Sequence, residues 1–145
     1  MIYFAYGSNM SQARLEKRVG PVKKCGRRLL KAHKHTFTKE GIDKSGKGNI
    51  EPCRESNVYG VAYSLGEAQF EALKEYEKGY GVFELTVVDE NQVEEKVFTF
   101  IATESVLGLR PTPDYFEHYL IGMNENNFPE EYIDVLKQRA ELKRA

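Results

Sequence analysis

The opening stretch Tyr3-Phe4-Ala5-Tyr6-Gly7-Ser8-Asn9-Met10 constrains this chain more than any other. An apolar, aromatic run stops abruptly at Gly-Ser-Asn, and a helical pattern begins at about Ser11. That order reads as a buried strand over residues 2–6, a tight turn and a helix N-terminus. Gly7 can take backbone angles closed to other residues and lets a ligand approach the main chain. Ser8, Asn9 and Ser11 suit helix starts, because their side-chain oxygens accept backbone N–H bonds. Such a turn aims several free N–H groups at one point, where an anion or a developing oxyanion can sit. Strand-turn-helix corners are also common as plain architecture, and the stretch alone supports both readings.

Further along, short strands outnumber helices, and helices follow strands without regular alternation, which points to an α+β fold. Residues 11–18 read as a short helix ended by Gly20-Pro21, and residues 28–38 as a strand. Residues 39–57 hold Gly41, Gly46, Gly48, Pro52 and many charges, and read as a long loop. Such loops in compact domains are lids, binding loops or disordered segments. Residues 58–63 read as a mostly buried strand. Ser64 with Glu67 three places on reads as a capping box opening a helix that runs to about Tyr76. Residues 82–88 and 96–103 read as strands joined by a hairpin loop at Asp89-Glu90-Asn91-Gln92. Thr112-Pro113 opens a helix with Tyr115, Phe116, Tyr119, Leu120 and Met123 as its apolar positions. Asn124 to Asn127 read as a polar connection, and Pro129 starts a last helix that turns Tyr132, Ile133, Leu136 and Ala140 to the core. Fraying is expected beyond Glu141. At 145 residues the whole chain, 1–145, reads as one domain.

Charge is ordinary in sum and uneven in distribution. The net value is −1, so bulk charge selects no partner. Residues 1–55 hold 13 Lys/Arg against 5 Asp/Glu, and residues 56–145 hold 8 against 17. This asymmetry marks either a nucleic-acid face or two halves that attract each other across the fold. Lys23, Lys24, Arg27, Arg28, Lys31 and Lys34 read as a solvated strand face. His33 and His35 would share one strand face, but two ligands without a third make a poor metal site, so surface histidines are expected. Cys25 and Cys53 are too few for a disulfide framework and read as reduced thiols of a cytoplasmic protein. No signal peptide or membrane span is visible.

The helix after Leu65 separates its glutamates by geometry. At about 100° per residue, Glu67, Glu71 and Glu75 form a charged, solvated stripe. Glu77 instead lies on the face of Phe70 and Leu73, where burial would disfavour its charged form and raise its pKa. The other reading is that the helix has ended by Glu77 and the side chain turns to water.

The run Tyr3 to Met10 resembles the N-terminal signature of the gamma-glutamylcyclotransferase family. The segments Val58–Leu65 (VYGVAYSL), Ala72–Phe83 (ALKEYEKGYGVF) and Pro111–Tyr132 (PTPDYFEHYLIGMNENNFPEEY) resemble the same family in the same order. The resemblance covers most of the chain and is weaker between Val19 and Asn57. It implies a small mixed β-barrel with helices packed around it. The implied activity cyclises a gamma-glutamyl group to 5-oxoproline and releases an amine, with no metal and no cofactor. It puts Glu77 on the catalytic acid/base position and gives Gly7, Ser8, Asn9 and Met10 the cradle for the gamma-glutamyl group. Tyr80 resembles a family tyrosine near the pocket. Tyr6 and Tyr115 are further candidates for substrate contact, with core packing as the alternative for each.

Two departures from the family pattern bear on function. Lys78 stands between Glu77 and Gly79, where the family usually has Gly directly after the glutamate. Ser45-Gly46-Lys47-Gly48-Asn49-Ile50 replaces a Gly-Gly stretch that contacts substrate, which leaves the leaving amine open. The expected partner is a small gamma-glutamyl compound, either a gamma-glutamyl amino acid or a gamma-glutamyl amine, with neither nucleic acid nor membrane. A non-enzymatic nucleic-acid-binding module using the basic first third is the competing class; no nucleic-acid motif supports it.

Overall fold

The computed structural model describes residues 1–142. Five strands close into a barrel: β1 (Ile2–Ala5), β2 (Lys23–Glu40), β3 (Gly46–Ser64), β4 (Tyr80–Val88) and β5 (Glu94–Ala102). Around the barrel the order is β1-β3-β2-β4-β5. Every neighbouring pair is antiparallel except β1 and β5, which run parallel and meet at Tyr3 and Phe98. Four helices complete the fold: α1 (Gln12–Val19), α2 (Glu67–Tyr76), α3 (Pro113–Glu125) and α4 (Glu130–Leu142). This is the α+β barrel with packed helices that the family resemblance implies.

Alternation in β1 divides the core. Phe4 and Tyr6 join Leu30, Ile50, Val58, Val87 and Val97 in one buried cluster. All five strands feed it, so it fills the barrel. Tyr3 and Ala5 face the other way and join Tyr63, Phe70, Leu73, Phe100, Phe116, Tyr119, Met123 and Leu136 in the layer between barrel and helices. Ser11 caps α1 by accepting from the Arg14 N–H (3.4 Å), and Thr112 caps α3 by accepting from the Tyr115 N–H (3.2 Å).

The segment 39–57 is where sequence and structure part. It is no long loop: β2 continues to Glu40, β3 begins at Gly46, and only a five-residue turn separates them. The Asp43 carboxylate shapes the turn by accepting from the Ser45 N–H (3.0 Å) and hydroxyl (2.6 Å). The glycines are there for space. A Cβ on Gly48 would overlap the Tyr119 hydroxyl and stand 3.2 Å from His35 Nε2, and one on Gly46 would stand 2.7 Å from the Phe37 carbonyl. The hairpin's pairing register slips three times, between Lys24 and Gly26, Lys31 and His33, and Thr36 and Lys39. Each bulge breaks the two-residue period, which hides so long a strand from a pattern search.

Other expectations are corrected in detail. Ser64 ends β3 and caps nothing; Gly66 precedes α2, and its N–H donates to the side-chain oxygen of Gln69 (2.9 Å). Asn124 belongs to α3, which runs through Glu125. His35 is no surface residue but 1% exposed. The segment beyond Leu142 lies outside the described residues. Arg28 meets Glu95 at 2.9 Å and Arg27 meets Glu90 at 3.2 Å, so the basic and acidic halves do attract each other across the fold.

Helix α3 reaches the turn after β1 through Gly122. A Cβ there would stand 2.5 Å from Met10 Cβ and 2.7 Å from the Met10 carbonyl. In an exposed helix Gly→Ala stabilises by about 1 kcal/mol. Here Gly122→Ala should instead destabilise by about 1–3 kcal/mol through overpacking, read as a lowered Tm.

Candidate active site

Where β1 ends, the chain turns through Ser8–Met10 as one turn of 3-10 helix before α1. Met10 N–H donates to Gly7 carbonyl (3.0 Å) and Ser11 N–H to Ser8 carbonyl (3.2 Å). The N–H groups of Gly7, Ser8 and Asn9 have no partner among the described residues. They are three consecutive donors at the head of a turn, the arrangement that receives anions. Gly7 has φ −123°, so a left-handed backbone is not what requires glycine there. Space is the tighter condition, since a Cβ would stand 3.2 Å from the Tyr119 hydroxyl.

This turn forms one wall of a cleft of about 580 Å³. The end of α2 forms another part of its lining. The helix stops at Tyr76, and Glu77 is its C-terminal cap. Its side chain nevertheless turns inward, only 15% exposed, so the helix has ended as one reading required while the burial follows the other. Asn9 Nδ2 donates both to Glu77 Oε1 (3.3 Å) and to the Tyr3 hydroxyl (3.1 Å). Arg18 stands 3.9 Å from the carboxylate. Burial outweighs the opposing pull of Arg18, Arg14 and Lys39, and the Glu77 carboxyl is pushed up to about 7. The Lys78 insertion is absorbed in a turn closed by Tyr80 N–H donating to the Glu77 carbonyl (3.2 Å), with Gly79 at φ +88°, a conformation that favours glycine.

Three tyrosines from the sequence analysis reach the cleft. Tyr6 donates its hydroxyl to the Phe100 carbonyl. Tyr80 donates to the Gly48 carbonyl (2.7 Å), and the Gly48 N–H donates to the Tyr115 hydroxyl (3.0 Å). Tyr80 and Tyr115 thereby pin β3 to the cleft from two sides. The structure does not bring Met10 there. Its side chain is fully buried, and its carbonyl accepts from Tyr63 (3.0 Å). Beneath the floor, the Tyr119 hydroxyl and His35 Nε2 are 2.7 Å apart, and burial holds His35 down at about 3.

Four partly buried cations line the cleft without having been singled out in the sequence: Arg14, Arg18, Lys39 and Lys47. Arg14 Nε donates to the Ser8 hydroxyl (3.0 Å), and its Nη1 lies 3.1 Å from His118 Nε2. Burial and the Arg14 charge hold the His118 pKa below its ordinary value. The i,i+4 spacing of Arg14 and Arg18 after the Ser11 cap was the available signal. Lys39 and Lys47 gave none, because the segment 39–57 that holds both was read as a loop.

The sequence profile of the AIG2-like family matches residues 57–136, just over half of the chain. The chain belongs to the AIG2-like family. Solved structures extend the likeness over nearly the whole fold. One described as gamma-glutamyl cyclotransferase is 26% identical, with a TM-score of 0.86 over 94% of this chain and 86% of that one. An uncharacterized protein from Homo sapiens is 28% identical, with a TM-score of 0.84 over 94% and 85%. YkqA from Bacillus subtilis, 20% identical, shares the fold at a TM-score of 0.84 over 97% of this chain and 54% of its own. No curated protein sequence matches. The AIG2-like profile spans Glu77, Tyr80 and Tyr115, whereas Gly7–Asn9, Arg14 and Lys39 fall outside it. Among the described residues no helix is long and apolar enough to cross a membrane.

The raised pKa of Glu77 makes its burial visible in stability. A carboxyl ordinarily titrates near 4.5, and in the folded chain near 7. The folded state therefore binds the proton more tightly. The stabilisation this gives is complete below pH 4.5 and is lost as pH rises through 7. The loss is on the order of 3 kcal/mol by pH 8. Glu77→Gln removes it, so the Tm of the variant relative to the parent should rise steadily between pH 5 and pH 8. A flat difference across that range would place the carboxyl in water.

Proposed function

We propose that this chain is a gamma-glutamylcyclotransferase-type enzyme that converts a gamma-glutamyl amino acid or amine into 5-oxoproline and the free amine, with Glu77 as general acid and base. The observation that carries the reading is that one buried carboxyl, poised near neutrality, shares a cleft with three unpaired backbone N–H groups. A general acid/base works best when its pKa lies near the working pH. The 26% identity to a structure described as gamma-glutamyl cyclotransferase, over most of both chains, supports the same reading.

The chemistry asks little beyond position and proton transfer. The substrate's α-amine, relieved of one proton to water, attacks its own γ-carbonyl carbon. Nucleophile and electrophile are tethered, so effective molarity is high once the chain is folded back. The Glu77 carboxylate accepts the second proton as the new C–N bond forms. The Gly7, Ser8 and Asn9 N–H groups stabilise negative charge on the substrate, as its α-carboxylate or as the oxyanion. Glu77 then gives its proton to the departing nitrogen, the old C–N bond breaks, and the carboxylate is regenerated. No water or co-reactant is consumed. Asn9, donating to Glu77, fixes the carboxyl's direction throughout.

Incubating the protein with a panel of gamma-glutamyl compounds and measuring 5-oxoproline tests the reading. Glu77→Gln should cut kcat by about 10²–10⁴, while Glu71→Gln, on the exposed stripe of α2, should behave as the parent. Full turnover by Glu77→Gln would remove the residue from the mechanism. The turn has its own test. Gly7→Ala should fold and melt cooperatively yet lose about 10²-fold in kcat/KM, the scale of one misplaced oxyanion donor. Ser11→Ala should lower stability by about 1 kcal/mol with turnover intact. If Gly7→Ala keeps its activity, the turn is only a corner.

A further inference from the structure

The cleft's partly buried cations divide into two kinds. Arg18 and Lys47 have carboxylate partners: Arg18 stands 3.9 Å from Glu77, and Lys47 stands 3.7 Å from Asp43. Each also lies over an aromatic ring, Arg18 on Tyr76 at 4.9 Å and Lys47 on Tyr115 at 4.4 Å. Arg14 and Lys39 have no carboxylate within 4.0 Å among the described residues. Arg14 is held by a hydroxyl and an imidazole. Lys39 donates to the backbone carbonyl of Glu40 (2.9 Å) and lies 5.5 Å from the Tyr80 ring centroid.

A partly desolvated cation without a counter-charge is costly, and a ligand anion relieves the cost. The two cations without a carboxylate in close contact come from different elements, α1 and β2. Arg14 sits on Ser8, beside the free N–H groups, and forms one anion-binding pole with them. Lys39 comes from the end of β2 and reaches past the Glu77–Tyr80 turn. A Cβ on Gly79, in that turn, would stand 2.6 Å from its Cε and 3.0 Å from its Nζ. The stem is therefore seated on the turn that carries the acid/base, with the ammonium at its lip. Both cations act electrostatically on Glu77, so the carboxyl lies within the field of each.

We infer that Lys39 determines specificity by binding a carboxylate borne on the leaving amine, so that the cleft takes substrates with two anionic groups, one at the Arg14 pole and one at Lys39. The inference rests on the cyclotransferase reading and selects between its two branches. An α-amino acid leaving group carries its carboxylate one carbon from the departing nitrogen, close to Glu77, and a simple alkylamine carries none. Lys47 is the less available of the two lysines, because it already has the Asp43 carboxylate at 3.7 Å.

The test compares gamma-glutamyl-alanine with gamma-glutamyl-ethylamide, which differ only in that carboxylate. The parent should favour the dipeptide in kcat/KM by about 10–100-fold, the worth of one hydrogen bond to a charged group. Lys39→Met keeps the stem and drops the charge. It should bring the ratio to within about threefold, and Lys39→Arg should restore most of it. General damage to the site would lower both substrates together and leave the ratio unchanged, which would overturn the inference. Calorimetric binding of both compounds to Glu77→Gln, with and without Lys39→Met, gives the same ratio without turnover. Lys39-dependent preference in binding without 5-oxoproline formation by the parent keeps the inference and removes the reaction. Turnover with a Lys39-independent ratio keeps the reaction and removes the inference. Binding of neither compound removes both.

Discussion

The hydroxyl of Tyr119 is the point on which three parts of the fold converge. It occupies the space that a side chain would need at Gly7 and again at Gly48, and it is hydrogen-bonded to the buried His35. The turn after β1, the end of the long hairpin and helix α3 are thereby held at fixed separations. A buried polar group in this position is costly unless satisfied, and its partner has to be neutral to be buried beside it. Desolvation supplies that condition by holding His35 uncharged through the physiological range. Two glycines that look like loop punctuation in the sequence are in fact the cavity walls for one phenol.

Most of the fold was legible where periodicity was undisturbed. The α2 and α3 patterns, the Asp89 hairpin and the abrupt stop at Gly7 all follow from simple rules about faces, caps and turns. The long hairpin was not legible. Its bulges reset the alternation three times, and its glycines answer to Tyr119 and Phe37, residues distant in sequence or across the strand pair. The same holds for His35. The lack of a third metal ligand led to a surface reading, and the packing of Phe37 and Tyr119 around its ring, which buries it, comes partly from a helix far along the chain.

The site divides along a similar line. Glu77 was separable from Glu67, Glu71 and Glu75 by helical phase alone, and the structure reconciles both readings of it: the helix does end, yet the carboxyl is enclosed. Enclosure comes from Asn9, Tyr3 and Arg18, none of which helical phase could supply. The cations that set the cleft's charge arrive from α1 and from the hairpin, and the hairpin lies where the family resemblance is weaker.

The seam between β1 and β5 has a consequence of another kind. The two strands meet in register at a single residue pair. The rest of the closure falls to hydroxyls: Thr99 donates to the Phe4 carbonyl at 2.8 Å, and Tyr6 donates to the Phe100 carbonyl. Tyr6, Thr99 and Phe100 also line the cleft. At this seam the barrel is therefore fastened by side-chain hydroxyls as well as by its backbone ladder. The β2–β4 junction is also a single pair, Leu29 with Val88, so the barrel has two thinly laddered joints, and of these only the one between β1 and β5 sets a residue of its pair, Tyr3, in the cleft lining. Side chains that line the cleft thus also hold the barrel shut, so a substitution at Tyr6 or Thr99 that reshapes the cleft also loosens the wall behind it.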